Sequence, residues 1–236
     1  MNFYQSTLAF AGVIQSFPNS KTQSTNTLNT YPSFSERLRP RTFQELLLPD
    51  SITSKLDLMC EASEVMNMIF YGPPGTGKSS CALIFEKSDN FSLYKINAAN
   101  LNSIDDVKKH MKYFSTSISF YGTKKLVLID EADKLSQSAQ ASLRGIIEES
   151  VNNCRFIFTT NKLSRIEKPL QSRCMPLNFA LCYKEINLMI AKLTNTIHSR
   201  LEEIDCKFDG NRISEIVAMN FPDYRAIANA VELELI

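Results

Sequence analysis

From about Ser35 onward, apolar runs of four to seven residues alternate with segments whose apolar positions recur every three or four residues. That alternation predicts parallel strands joined by crossover helices, because a strand covered on both faces carries no polar alternation of its own. The predicted strands are 66–71, 91–96, 125–130, 155–160 and 175–179, and the run Leu126-Val127-Leu128-Ile129 has the look of a central strand. The predicted helices between them are 78–87, 103–115, 136–149 and 165–171. Ser136 is placed to cap its helix, and Ser103 to cap another with Asp105 and Asp106 in the first turn.

Beyond about residue 177 the strand pattern stops. Residues 183–204 place Ile186, Met189, Ile190, Leu193, Ile197 and Leu201 at helical spacing, and 211–220 and 223–235 read the same way. An α/β domain over 34–176 and an all-helical domain over 177–236 are therefore expected. The opening stretch, 1–33, holds a single charge, Lys21, among many Ser, Thr, Asn and Gln. It offers too little apolar surface to offset its ordering entropy, so it is expected to be a disordered polar leader.

Composition narrows the classes. The 236 residues carry 26 Lys+Arg against 25 Asp+Glu, a net charge of +1, which excludes a strongly basic nucleic-acid coat while leaving room for a local basic face. Residues 35–176 lean basic and 177–236 lean acidic, in keeping with a boundary near 177. Nothing approaches 18 consecutive apolar residues, so no membrane-spanning helix is expected. The six cysteines form no CxxC pair, and only His110 and His198 are available beside them, which argues for reduced, small-hydrophobe cysteines. The run Leu8–Ile14 has no basic residue before it and makes a poor secretory signal, so cytoplasm, or nucleus, is the expected compartment.

The chemistry concentrates in a few places. Gly72-Pro73-Pro74-Gly75-Thr76-Gly77-Lys78-Ser79, followed by Ser80, fits G-x-x-x-x-G-K-[ST] and lies between a predicted strand and a predicted helix. Glycines let backbone N–H groups turn toward phosphate oxygens, and the helix N-terminus adds positive potential. Lys78 is the candidate for the β/γ-phosphates and the Ser79 hydroxyl for Mg2+. A chance match in a glycine-rich turn is the competing reading, but three of only seven glycines fall here, in the right context.

The run 126–133 ends a buried strand in Asp130-Glu131-Ala132-Asp133, placing carboxylates at the carboxyl edge of the sheet. Asp130 is the candidate metal ligand, and Glu131 the candidate for orienting or deprotonating a water. An acidic strand end alone is often a solvated edge; next to a phosphate loop it argues for nucleoside triphosphate hydrolysis. Asn161 closes the apolar run 156–160 and faces either the γ-phosphate or simply a turn. Arg173, in Pro169-Leu170-Gln171-Ser172-Arg173-Cys174, is by itself an ordinary exposed arginine.

These elements, in this order, resemble the AAA+ ATPases, with Walker A and Walker B boxes, a strand ending in Asn, and a Ser-Arg-Cys element. More narrowly, 35–236 resembles the sliding-clamp loaders, the replication factor C small subunits and their phage counterparts. Glu36-Arg37-Leu38-Arg39-Pro40-Arg41-Thr42-Phe43, Ala139-Gln140-Ala141-Ser142-Leu143-Arg144 and 166–174 carry that narrower likeness. The resemblance implies a P-loop αβα sandwich with a five-stranded parallel sheet, followed by a small helical lid. It implies ATP and Mg2+ as cofactors, and a role in loading a sliding clamp onto primer–template DNA as one subunit of a pentameric assembly.

By the same resemblance Asn161 matches sensor 1, Arg173 an arginine finger acting on a neighbour's ATP, and Arg225 the sensor 2 arginine of the lid. Asn97 matches a switch residue that orients the Walker B glutamate, with a strand-end cap as the plainer alternative. Lys108, Lys109 and Lys112 match a helix that meets DNA phosphates without regard to sequence, against the plainer reading of a solvated face. Another DNA-linked remodeller (a helicase loader or branch-migration motor) and a nucleotide-binding scaffold without turnover are the alternatives. Three departures stand out: Ala98-Ala99-Asn100-Leu101-Asn102 replaces an acidic, Arg-containing turn; the leader has no counterpart; and the sequence stops at Ile236 where the family continues with a collar domain, so that either it is a fragment or assembly depends on other contacts.

Overall fold

The structure, a computed structural model, describes residues 34–101, 106, 109, 111, 114, 123–180 and 186–235. The expected leader 1–33 lies outside these residues, as do Cys182, Lys108 and Lys112.

Strands β1 (Met68–Tyr71), β2 (Phe91–Asn97), β3 (Lys124–Asp130), β4 (Cys154–Thr160) and β5 (Met175–Asn178) form one sheet in the order β2-β3-β4-β1-β5. Every neighbouring pair is parallel. All five lie within two residues of their predicted bounds. Alternate residues of the central strands enter different cores. Ile69, Val127, Ile129, Phe156 and Phe158 face one side, while Met68, Phe70, Leu126, Leu128 and Ile157 face the other. That is why these strands read as continuous apolar runs.

The first core is closed by α3 (Gln137–Glu149), through Leu143, Ile146 and Ile147, and by Leu170 of α4 (Lys168–Gln171). The second is closed by α1 (Asp50–Glu61), through Leu56, and by α2 (Lys78–Glu86), through Cys81, Ala82 and Phe85. Ser136 caps α3 as expected, accepting from the Ala139 N–H at 3.2 Å. Of the predicted helix 103–115, residues 106, 109, 111 and 114 are helical and the others lie outside the described residues.

Two elements differ from the sequence reading. Helix α1 was not expected, because Ile52, Leu56 and Met59 give only a thin apolar stripe between polar residues. The expected helix 165–171 is two short pieces, a 3-10 turn Leu163–Arg165 and α4. Buried Gln140 of α3 explains the break: its Nε2 donates to Arg165 O at 3.1 Å and its Oε1 accepts from Glu167 N at 2.8 Å. Those backbone groups are thereby satisfied without a continuous helix.

Helices α5 (Ile186–Glu203), α6 (Gly210–Asn220) and α7 (Tyr224–Glu234) pack around a third core of Met189, Leu193, Ile197, Leu201, Ile213, Val217, Ile227 and Val231. Leu38 and Leu47, from the segment before α1, join this third core, whereas Phe43, Leu46 and Leu48 of the same segment belong to the second. The segment is a strap that serves both cores. A polar clasp reinforces it: Arg200 donates to both oxygens of Glu45 at 2.9 Å, and the Tyr224 hydroxyl donates to Glu45 O at 2.6 Å. Burial opposes the charge on Arg200, yet its bonds to Glu45 and Glu203 prevail and hold its pKa above the ordinary value. Burial likewise pushes the Tyr224 phenol well above its ordinary range. No helix among the described residues is long and apolar enough to cross a membrane.

Two outcomes are expected from this packing. Tyr224→Phe strands the Glu45 carbonyl and should destabilise the protein by about 1 kcal/mol, lowering Tm by about 2–4 °C in a thermal melt. An unchanged Tm would mean the clasp carries no load. Burial also pushes the thiols of Cys154 and Cys174 up to about 12 and raises Cys81 well above 9.0. Only about one part in 10⁴ of the Cys154 and Cys174 thiols is then ionised at pH 8. Peptide mapping after brief iodoacetamide treatment should find Cys206 modified well before these three; rapid labelling of Cys154 would contradict the packing.

Candidate nucleotide-binding site

The carboxyl ends of β1, β3 and β4 meet at one edge of the sheet. Tyr71 is opposite Thr160 and Ile129 opposite Phe158, so that Asp130, Thr159 and the start of the loop after β1 lie side by side. The loop from Gly72 to Gly77 turns there because three glycines adopt positive φ: 147° at Gly72, 76° at Gly75 and 88° at Gly77. A side chain at Gly72 would meet Ala180 N and Phe179 C at 2.9 Å. The Thr76 hydroxyl donates to Pro73 O at 2.9 Å and braces the turn from inside. Helix α2 then starts at Lys78, its N-terminus aimed along the loop.

Lys78 is buried under the loop, its Nζ donating to Gly72 O at 2.9 Å and Pro73 O at 2.6 Å. Burial lowers its pKa from the ordinary value; Asp130 and Asp133 oppose that shift, and the nearby Arg225 adds to it. The Ser79 hydroxyl donates to Asp130 Oδ1 at 2.7 Å, which joins the two candidate metal ligands directly. Hard oxygens from one hydroxyl and one carboxylate, beside a phosphate loop, are the donor set magnesium takes when substrate phosphates and waters complete its shell. Ser79 and Asp130 therefore fit Mg2+.

Glu131 follows Asp130 with φ 56° and ψ 43°, the left-handed region. That conformation costs a non-glycine residue about 1–2 kcal/mol, and it leaves the Glu131 carboxylate exposed on the cleft. Asn161, just past β4, is exposed on the same cleft. Across from it stand Tyr224, Arg225, Ala228 and Asn229 of α7, and the strap closes one end with Leu38, Arg39 and Pro40. The cleft encloses about 410 Å³. Helix α7 touches the loop itself: Tyr224 N donates to Gly75 O at 3.0 Å, and the Asp223 carboxylate that caps α7 lies where a Gly75 side chain would be.

Of the residues singled out in the sequence, the loop 72–80, Asp130, Glu131, Asn161 and Arg225 thus come to one place. Asn97 stands beside Asp130 on β2, but its Oδ1 accepts from Ala99 N at 2.8 Å and caps a 3-10 turn, so that oxygen is engaged locally. Lys109 is exposed on its helix. Arg173 is elsewhere. It precedes Met175, which pairs with Met68 at the start of β1, whereas the loop leaves the end of that strand. A strand rises about 3.3 Å per residue, so the body of the sheet separates Arg173 from the cleft of its own chain. Its guanidinium is half-exposed, donating from Nε to Glu148 Oε1 at 2.9 Å and from Nη1 to Pro169 O at 2.6 Å, with Nη2 also on Glu148.

Sequence reasoning missed Thr159 and the strap residues. Thr159 donates to Asp130 Oδ1 at 2.5 Å and accepts from Glu131 N at 3.1 Å. The only signal was its place two residues before Asn161, in a pair of threonines ending an apolar strand.

Residues 68–179 match the family described as ATPase family associated with various cellular activities (AAA). The chain is 33% identical over 210 residues to the replication factor C small subunit of Archaeoglobus fulgidus, covering 84% of this chain and 62% of that protein. It is also 33% identical over 204 residues to replication factor C subunit 5 of Homo sapiens, covering 84% and 58%. The chain thus spans about three fifths of the length of the curated relatives it matches. Among solved structures, the Thermotoga maritima RuvB Holliday junction branch migration motor superposes with a TM-score of 0.63 at 21% identity, covering 83% of this chain and 64% of that one. Identity at that level carries the fold alone.

The contact between loop and α7 makes a direct test. Gly75→Ala brings both backbone strain and a collision with Asp223, and should destabilise the protein by about 1–3 kcal/mol. In thermal melts the double variant Gly75→Ala/Asp223→Ala should lose less than the sum of the two single losses, Asp223→Ala alone costing the α7 cap. Strictly additive effects would show that the two residues do not meet.

Proposed function

We propose, from the match of residues 68–179 to the AAA family of ATPases, that the chain binds and hydrolyses ATP as one subunit of a sliding-clamp loader. The clamp, primer–template DNA and the other subunits of a pentameric assembly are its partners in this reading, and replication places it in cytoplasm or nucleus. The relatives named replication factor C, each matched over 84% of this chain, support it.

The division of labour follows from the cleft. The amides of the 72–77 turn and Lys78 bind and orient the phosphates, Ser79 and Asp130 hold Mg2+, and Arg225 closes from α7. When bound, the metal neutralises charge on the phosphate oxygens. Glu131 orients the attacking water and receives its proton, with Asn161 beside it. Phosphoryl transfer of this kind depends on charge stabilisation around the terminal phosphate. Lys109, with Lys108 and Lys112 close to it in sequence, meets DNA phosphates, a contact that weakens steeply with salt and ignores sequence.

One observation carries the multi-subunit part of the reading. Arg173 lies at the amino edge of the sheet while the cleft lies at the carboxyl edge, so this arginine reaches a phosphate only on a neighbouring chain. The assay is phosphate release by the complete assembly with clamp and primed DNA. Arg173→Ala should cut turnover by about 10³–10⁵, while ATP binding by the single chain stays unchanged. Full-rate hydrolysis by the isolated chain, or wild-type turnover by the assembled Arg173→Ala variant, would end the proposal.

A further inference from the structure

We propose that Thr159 is a positioning residue for two adjacent carboxylates of the cleft, fixing Asp130 for the metal and Glu131 for the water through a single hydroxyl. The inference rests on reading Asp130 and Glu131 as the metal- and water-handling groups.

Thr159 is 2% exposed, next to last in β4, and paired on its other side with Phe70 of β1. Its hydroxyl has one proton and uses it on Asp130 Oδ1 at 2.5 Å. The same oxygen accepts the Glu131 N–H at 3.1 Å. A hydroxyl that donates to one carboxylate and accepts from the next peptide is fixed in both roles, and it fixes its partners in turn.

Each partner needs this hold. Asp130 Oδ1 also takes the Ser79 hydroxyl at 2.7 Å, while Lys95 Nζ stands 4.0 Å from Oδ2. With Oδ1 held by two hydroxyls from different elements, the carboxylate keeps one rotamer, and the lysine does not swing it out of line. Glu131 is one of three described non-glycine residues with positive φ, together with Ser63 and Asp205. Without Thr159 its N–H would lose a buried acceptor, and the left-handed backbone at the cleft would keep only the bond from Lys134 N to Glu131 O at 2.9 Å. Thr159 is thus to Asp130 and Glu131 what an outer hydrogen-bonding partner is to a metal ligand, and loss of such partners costs about 10–100-fold in metal affinity or activity.

The test compares Thr159→Val, which keeps the shape and removes the hydroxyl, with Thr159→Ser, which keeps the hydroxyl. ATP binding by the chain is measured with Mg2+ and with EDTA, and turnover is measured in the complete assembly. Thr159→Val should bind ATP in EDTA within twofold of the natural protein, need about tenfold more Mg2+ for half-maximal tightening, and lose about 10–100-fold in kcat at saturating Mg2+. Thr159→Ser should match the natural protein in all three. If the valine variant does not bind ATP in EDTA, Thr159→Ala replaces it in the same comparison. A natural Mg2+ dependence and kcat in the hydroxyl-free variant would overturn the proposal, and so would a serine variant as impaired as the valine one. Full turnover by Asp130→Asn and Glu131→Gln would instead overturn the reading of the carboxylates themselves.

Discussion

Asp130 is gripped from two sides: by the hydroxyl of Ser79, on the helix that follows β1, and by that of Thr159, on β4. This is possible only because β4 is inserted between β1 and β3, so that one strand end supplies the phosphate loop, the next a threonine, and the third the carboxylates. Parallel pairing brings all three carboxyl ends to the same edge, where loops can build a cleft without disturbing the ladder. The two cores that sandwich the sheet keep that register, since a one-residue slip would turn Phe158 and Ile157 into each other's core. Packing on the faces of the sheet thus sets the geometry at its edge.

The remaining walls of the cleft depend on the strap before α1. Its apolar residues are divided between the second and third cores, and Glu45 within it holds Arg200 of α5 and receives Tyr224 of α7. Tyr224 is also the residue whose N–H meets Gly75 O, so one residue touches both strap and phosphate loop. The partly buried Glu45–Arg200 pair is satisfied at both carboxylate oxygens, although Arg200 Nε is buried without a partner. Charge is managed in a similar way at Lys78, where Asp130 and Asp133 offset the burial that the loop imposes.

The sheet also has a polarity that matters for function. The groups proposed to handle nucleotide gather at the carboxyl edge. Arg173 is held at the opposite edge by Glu148, in the last turn of α3, a helix that begins just past the Asp130–Asp133 segment. The two ends of one helix therefore lie next to the cleft and next to Arg173, the two halves of the site in the proposed assembly. In the proposed assembly such a division would let hydrolysis report on neighbours, since charge at the terminal phosphate would be fully compensated only across a subunit boundary.

Local patterns in the sequence determined a great deal: the five strands from their two-faced apolar runs, the phosphate loop from glycines that must take positive φ, and the Ser136 cap from hydroxyl chemistry at a helix start. Each of these is settled by residues within a few positions of one another. Tertiary structure alone decided the rest. Helix α1 has too thin a stripe to be recognised without the core it covers, and the break before α4 depends on Gln140, more than twenty residues earlier. The clasp of Glu45 with Arg200 and Tyr224 joins residues 155 and 179 positions apart. Thr159 looks like any strand threonine until β4 is seated beside Asp130. Contacts of that range follow from the strand order, and no short stretch of sequence encodes the strand order.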